Sequence, residues 1–143
     1  MSGVELSEDR ARIDVARVLG WLRASYWGAS MDRATLERAV ANSLCVGAYR
    51  DGRQIGFARA VTDRATMAWL TDVVVDETAR GQGIGRTMAG FLLEHPELSG
   101  LRRWGLATRD AHGVYAPLGF VPLERPEHYM ERLDPAHKAA LAG

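Results

Sequence analysis

The amino-acid sequence predicts an α/β domain built on a mixed, mostly antiparallel sheet with helices on both faces. Three observations carry that expectation. Apolar residues repeat at helical spacing in two early segments, β-branched and aromatic runs form a meander in the middle, and strand–helix–strand units follow. At 143 residues and 47% hydrophobic content, the chain reads as one domain over residues 1–143, large enough to bury a real core.

Val4 to Ser7 reads as a short first strand. Asp14 is placed to cap a helix whose Val15, Val18, Leu19 and Leu22 share one core-facing stripe. YWGAS at 26–30 breaks that pattern, and a second helix with Leu36, Ala39 and Val40 inward runs to about Ser43. LCVGAYR at 44–50 and QIGFARAVT at 54–62 read as strands joined at Asp51-Gly52, a strong hairpin signal. MAWLTDVVV at 67–75 reads as a buried strand. Ile84, Met88, Phe91 and Leu92 then make one stripe of a helix that should end near Pro96. LRRWGLAT at 101–108 reads as a strand, RDAHGVYAPL at 109–118 as a short helix and GFVPL at 119–123 as a strand. HYMERL at 128–133 is expected to close the sheet.

Composition excludes several function classes. Lys+Arg and Asp+Glu balance at 18 each, so bulk attraction to nucleic acid or to an anionic membrane is not expected. Cys45 stands alone in an apolar run, which rules out an internal disulfide framework and reads as a buried, inert thiol of a reducing compartment. No stretch has the pattern of a secretory signal or the length of a membrane span, so a soluble, cytoplasmic protein is expected.

The chemistry concentrates between the strand at 67–75 and the helix after it. Gly81, Gly83 and Gly85 stand at alternate positions in ARGQGIGRT, more glycine than a turn needs. A strand, a glycine loop and a helix present the first amides of that helix, unpaired and at the positive end of its dipole, to whatever fills the loop. Such a place suits an anion, and Arg80 and Arg86 flank it. A phosphate-binding P-loop would need a lysine before serine or threonine, where this chain has Arg86-Thr87. A dinucleotide fold would need more chain than remains.

Arg80-Gly81-Gln82-Gly83-Ile84-Gly85 resembles the Arg/Gln-x-x-Gly-x-Gly/Ala signature of the GNAT superfamily of acyl-CoA-dependent N-acetyltransferases. AHGVYAPLGF at 111–120 is similar to that family's second signature, an alanine followed by Tyr-x-x-Leu-Gly-Phe. The likeness runs from about residue 4 to residue 134 and implies a sheet splayed between its fourth and fifth strands, with a bulge before the loop. It implies acetyl-CoA as cosubstrate, without a metal. The pyrophosphate would lie on backbone amides of Gln82, Gly83, Ile84, Gly85 and Arg86, and the pantetheine arm and acetyl carbonyl on the main chain of Val73 and Val75.

The reaction implied is direct attack of a neutral amine on the thioester. Tyr115 matches the family tyrosine near the sulfur, and a phenol with an ordinary pKa near 10 suits a general acid. Asp72 alternates with Leu70 and Val74 on an apolar strand face, where desolvation would raise its pKa and make it the candidate base. Asp110 and His112 are alternatives, although Asp110 is also placed to cap a helix. Thr108 stands where many members carry a pantetheine-binding asparagine, so that contact is lost, rerouted through Asp110 or replaced by water. Tyr26 and Trp27, between the first two helices, are candidate acceptor contacts, as core burial would equally explain. Arg59 and Arg109 suit either a substrate carboxylate or surface ion pairs. The implied partners are a small-molecule amine and a candidate homodimer. A non-catalytic acyl-CoA-binding sensor is the alternative class.

Overall fold

A computed structural model describes residues 3–142. The chain begins with β1 (Glu5–Ser7), then α1 (Val15–Arg23), α2 (Arg33–Ala41), β2 (Leu44–Arg50), β3 (Arg53–Thr62) and β4 (Met67–Val75). After these come α3 (Ile84–Leu93), β5 (Arg103–Gly105), α4 (His112–Tyr115) and α5 (Pro135–Ala142). The strands form a five-stranded sheet in chain order, antiparallel from β1 to β4 and parallel between β4 and β5.

Local chemistry explains the element ends. Asp14 and Asp32 cap α1 and α2 by accepting the amides of Arg17 at 3.0 Å and Thr35 at 2.8 Å. The β2–β3 hairpin turns at Asp51 and Gly52, with φ of 53° and 76°, the paired positive values that a two-residue turn of matching twist requires.

Period-two alternation in β2 sends Leu44, Val46 and Ala48 to one face and Cys45 to the other. The first face buries Ile84, Met88 and Leu92 of α3; the second buries Val18 and Leu22 of α1 with Leu36 and Val40 of α2. The expected helices on both faces are therefore present.

Two expected strands are absent. GFVPL and HYMERL form no strand, and Val121, Leu123 and Met130 are exposed at 75%, 51% and 98%. Pro122 removes one ladder donor, and β5 pairs for only three residues, which leaves little edge to extend. The terminal helix α5 was not expected. Asp134 accepts from Ala136 at 3.2 Å and Pro135 follows it directly, a cap-and-proline start legible in DPAHKAALA.

Leu92→Ala, in the fully buried face of α3, should lower unfolding free energy by about 2–5 kcal/mol, whereas Val121→Ser should fall within about 0.5 kcal/mol of the parent. Denaturant melts measure both, and a large cost at Val121 would mean the segment pairs with the sheet after all.

Candidate active site

The site begins with a break in β4. Thr71 pairs with Arg59 and Val74 with Phe57, so Asp72 and Val73 together oppose the single residue Ala58. This is a β-bulge, and its first residue, Asp72, has φ of +54°. A left-handed aspartate is tolerable where a β-branched residue is not. The Asp72 carboxylate receives Arg59 Nε at 2.7 Å on one oxygen and Trp27 Nε1 at 3.1 Å on the other, and Arg59 also donates to Ser43 Oγ at 3.0 Å.

The extra residue reverses the strand's alternation. Leu70 and Val73 pack on the α3 side, whereas Val74 packs on the α1–α2 side. Asp72 therefore does not share a face with Leu70, and it does not sit unpaired among apolar groups. Both of its oxygens are engaged and it lies outside the cleft wall, which removes the ground for reading it as the base.

Pairing between β4 and β5 stops at Trp69 and Gly105, so the outer edge of β4 from Leu70 onward has no strand beside it. The opening is a cleft of about 890 Å³. Val73 and Val75 line it, with Gly81, Gly83, Ile84, Gly85, Tyr115 and the 24–27 segment. The carbonyl of Val75 already accepts from Arg80 Nε at 3.2 Å, so the chain itself occupies one of the main-chain groups expected to face a ligand.

At one end lies the start of α3. Its N-cap is Gly83, left-handed at φ 78° and without a side-chain cap, and the first turn closes from the Thr87 amide to the Gly83 carbonyl at 3.0 Å. The amides of Ile84, Gly85 and Arg86 precede that bond and have no intrahelical acceptor. Gly81 also has positive φ, so the glycines at 81 and 83 serve backbone conformation. Gly85 differs: a Cβ there would rest 3.6 Å from Val73 Cγ1 in ordinary contact, so its lack of a side chain keeps the cleft open. Arg80 and Arg86 line the same end. Gln82 turns outward, its Oε1 accepting from Arg50 at 2.8 Å.

The far wall is the β5–α4 loop. Asp110 does not cap α4; the N-cap is Ala111, and its amide donates to Thr108 Oγ1 at 3.0 Å. Thr108 is thus engaged within its own loop. Asp110, exposed on the cleft, is the carboxylate among the lining residues described. His112 is exposed and outside the lining. Tyr115 is half-buried with no hydrogen-bond partner for its hydroxyl among the described residues, and burial, followed by the nearby Tyr26, pushes its phenol above the ordinary value.

Tyr26 and Trp27 both line the cleft, edge to face at 5.0 Å. Tyr26 accepts the Arg109 amide at 2.8 Å and carries the Arg109 guanidinium 3.8 Å above its ring, while Trp27 is tethered to Asp72. Arg59 is largely buried in its ion pair and lies outside the cleft lining. Sequence reasoning missed Trp21, Ser25 and Val114 in the lining; Trp21 follows the inward Val18 by three positions, a spacing that could have placed it near the α1 end of the cleft.

Glu8, His95 and Glu97 form a group with metal-ligand composition. The Glu97 amide donates to His95 Nδ1 at 3.1 Å, which leaves the ring proton on Nε2, 2.9 Å from Glu8. That arrangement is a clasp between the amino-terminal segment and the end of α3. Cys45 is buried and its thiol is pushed up to about 11 by burial, so it is inert. No helix among the described residues is long and apolar enough to cross a membrane.

The sequence profile of the acetyltransferase (GNAT) family matches residues 13–120. A crystal structure of a provisionally named GNAT-family acetyltransferase from Xanthomonas campestris pv. campestris is similar at a TM-score of 0.90 and 41% identity, covering 94% of this chain and 96% of that one. A provisionally named acetyltransferase of Gibberella zeae is 30% identical over 128 residues, 73% of this chain and 71% of its own length. The chloroplastic GCN5-related N-acetyltransferase 1 of Arabidopsis thaliana is 33% identical over 94 residues, 63% of this chain and 48% of its own, so this chain spans about half the length of that relative.

Asp72→Asn keeps the tolerance of positive φ and an acceptor for Arg59. It should cost about 1–3 kcal/mol of stability and leave both turnover and the acidic limb of the pH–rate profile in place. Asp72→Val, which cannot hold that φ, should lose both stability and turnover. Loss of the acidic limb in Asp72→Asn alone would restore Asp72 as the base.

Proposed function

The chain belongs to the GNAT family of acetyltransferases, and from that premise we propose that it moves an acetyl group from acetyl-CoA to a primary amine of a small molecule by direct attack. One observation carries the proposal: a single cleft holds the open amides of α3 at one end and the unpartnered Tyr115 hydroxyl on its wall, with the unpaired edge of β4 between them.

The residues present fit acetyl-CoA. Gly81, Gly83 and Gly85 keep side chains away from the amides of Ile84, Gly85 and Arg86, which with Arg80 and Arg86 would hold the pyrophosphate. The edge of β4 at Val73 and Val75 would receive the pantetheine arm, in extended geometry like a strand. When bound, acetyl-CoA supplies an activated thioester. The chain's own part is to place donors before charge develops, so that they need not reorganise during reaction. Tyr115 holds a proton on its phenolic oxygen, buried enough to keep it through neutral pH, and is the general acid. The amine loses its proton to water or to Asp110 at the rim. A reducing, cytoplasmic setting is in keeping with the buried thiol of Cys45.

CoA should raise the melting temperature by mass action, and pantetheine lacking the pyrophosphate should do so far less. Gly85→Val should remove the CoA shift, because the new side chain enters the cleft at ordinary backbone dihedrals, without the strain the same change brings at Gly83. Equal shifts from CoA and pantetheine would take the glycine loop out of the site.

Tyr115→Phe should lower turnover by ~10²-fold with little change in CoA binding. Since burial raises the phenol's pKa, the protonated acid persists to higher pH. The alkaline fall due to Tyr115 should be displaced above that of an ordinary phenol in the parent and vanish in the variant. Unchanged turnover at saturating substrate would assign thiolate protonation elsewhere.

A further inference from the structure

Resting on the transfer reading above, we propose that the acceptor amine carries an anionic group, a carboxylate or a phosphate, and that Arg109 binds it. Arg12, Arg17, Arg33, Arg59 and Arg64 are each paired with a carboxylate. In the cleft, Arg80 and Arg86 are bonded to main-chain carbonyls, Arg86 loosely at 3.5 Å. Arg109 has neither kind of partner among the described residues, although it is exposed on the cleft wall.

Its guanidinium is nonetheless held in place. The carbon lies 3.8 Å from the centroid of the Tyr26 ring, and its own backbone amide fixes the Tyr26 hydroxyl at 2.8 Å. Stacking restrains a guanidinium on the cleft wall whose N–H groups have no side-chain acceptor among the described residues, so an anion can be bound there at small entropic cost. Tyr26, as the acceptor in that bond, keeps its own proton to donate.

Charge along the wall points the same way. The lining has three arginines, at 80, 86 and 109, and one carboxylate, Asp110, while Asp72 is neutralised by Arg59 outside it. The whole chain balances at 18 against 18, so this positive excess belongs to the cleft. Arg80 and Arg86 flank the glycine loop and account for the cofactor's phosphates. Arg109 stands instead with Tyr26, near enough to Tyr115 for the two phenols to interact. A polycationic acceptor would meet like charge there, whereas an acceptor with an amine and an anion matches Arg109 and the adjacent Asp110.

The test is a set of matched acceptor pairs assayed for thiol release from acetyl-CoA: amino acids against their carboxamides, and phosphoethanolamine against ethanolamine. The protein should favour the anionic member by at least ~10-fold in kcat/KM. Arg109→Gln should cut that preference by ~10-fold or more, with Arg109→Lys intermediate. Which pair responds tells carboxylate from phosphate. Equal use of both members, or an unchanged preference in Arg109→Gln, overturns the proposal. A higher KM for acetyl-CoA with the preference intact does so too, by assigning Arg109 to the cofactor. If no pair is acetylated, calorimetry of the same pairs on the CoA-saturated protein decides separately. Anion-dependent binding lost in Arg109→Gln would keep the site while the transfer reading fails, and no such binding would overturn the site itself.

Discussion

The buried contact of Asp72 with Arg59 and Trp27 is the constraint on which the rest of this structure depends. A strand that continued straight through residues 70–75 would alternate regularly and could remain paired with β5. The left-handed turn at Asp72 adds a residue opposite Ala58, re-aims Val73 and Val75 toward α3, and bends the strand where its pairing with β5 has ended. A non-glycine residue at positive φ is strained, of order 1–3 kcal/mol, and persists when its surroundings over-determine it. Here they do so with two side-chain donors on one carboxylate, both from elements other than β4.

That contact also ties the two sides of the cleft together. Trp27 comes from the segment between α1 and α2, meets Tyr26 edge to face, and Tyr26 in turn holds the Arg109 amide of the β5–α4 loop. Ser43, Arg59, Asp72, Trp27, Tyr26 and Arg109 thus form a continuous path from the end of α2 across the sheet to the far wall. Tyr26 and Trp27, expected as acceptor contacts, also place parts of the wall, and the loop between two helices gains a defined position without regular structure of its own.

The third element is the start of α3. The other two long helices of the core begin with a capping aspartate, which satisfies one of the first amides internally. α3 begins with a glycine that has no side chain to offer, so its amides face the cleft, while its buried stripe of Ile84, Met88 and Leu92 fastens it to the sheet. Rigid packing on one face and an uncapped end on the other are the features on which the proposed anion seat rests.

The sequence by itself determined the helices α1 to α3, the Asp14 cap of α1, the hairpin at Asp51-Gly52, the span of β4 and the glycine loop. Each is a local pattern: a period of 3.6 or 2, a capping aspartate, or glycine where φ must be positive. Most of the cleft wall was legible for the same reason, since the loop and the Tyr115 segment carry their signatures in contiguous residues. Tertiary structure decided the rest. The reversal of faces at Asp72 cannot be read from alternation, because one inserted residue shifts every later side chain and the partner that stabilises it lies 13 positions away on β3. The role of Asp110 depended on where α4 begins: Ala111 is the N-cap, no side chain caps the helix, and the Ala111 amide bonds Thr108 within the loop. GFVPL and HYMERL have strand-like composition, yet a strand exists only against a partner edge, and β5 is too short to provide one. Arg109 became distinct from Arg80 and Arg86, the other arginines of the cleft, only once folding showed which acceptors those two had taken, since pairing is a property of distance in space and not of position in the chain.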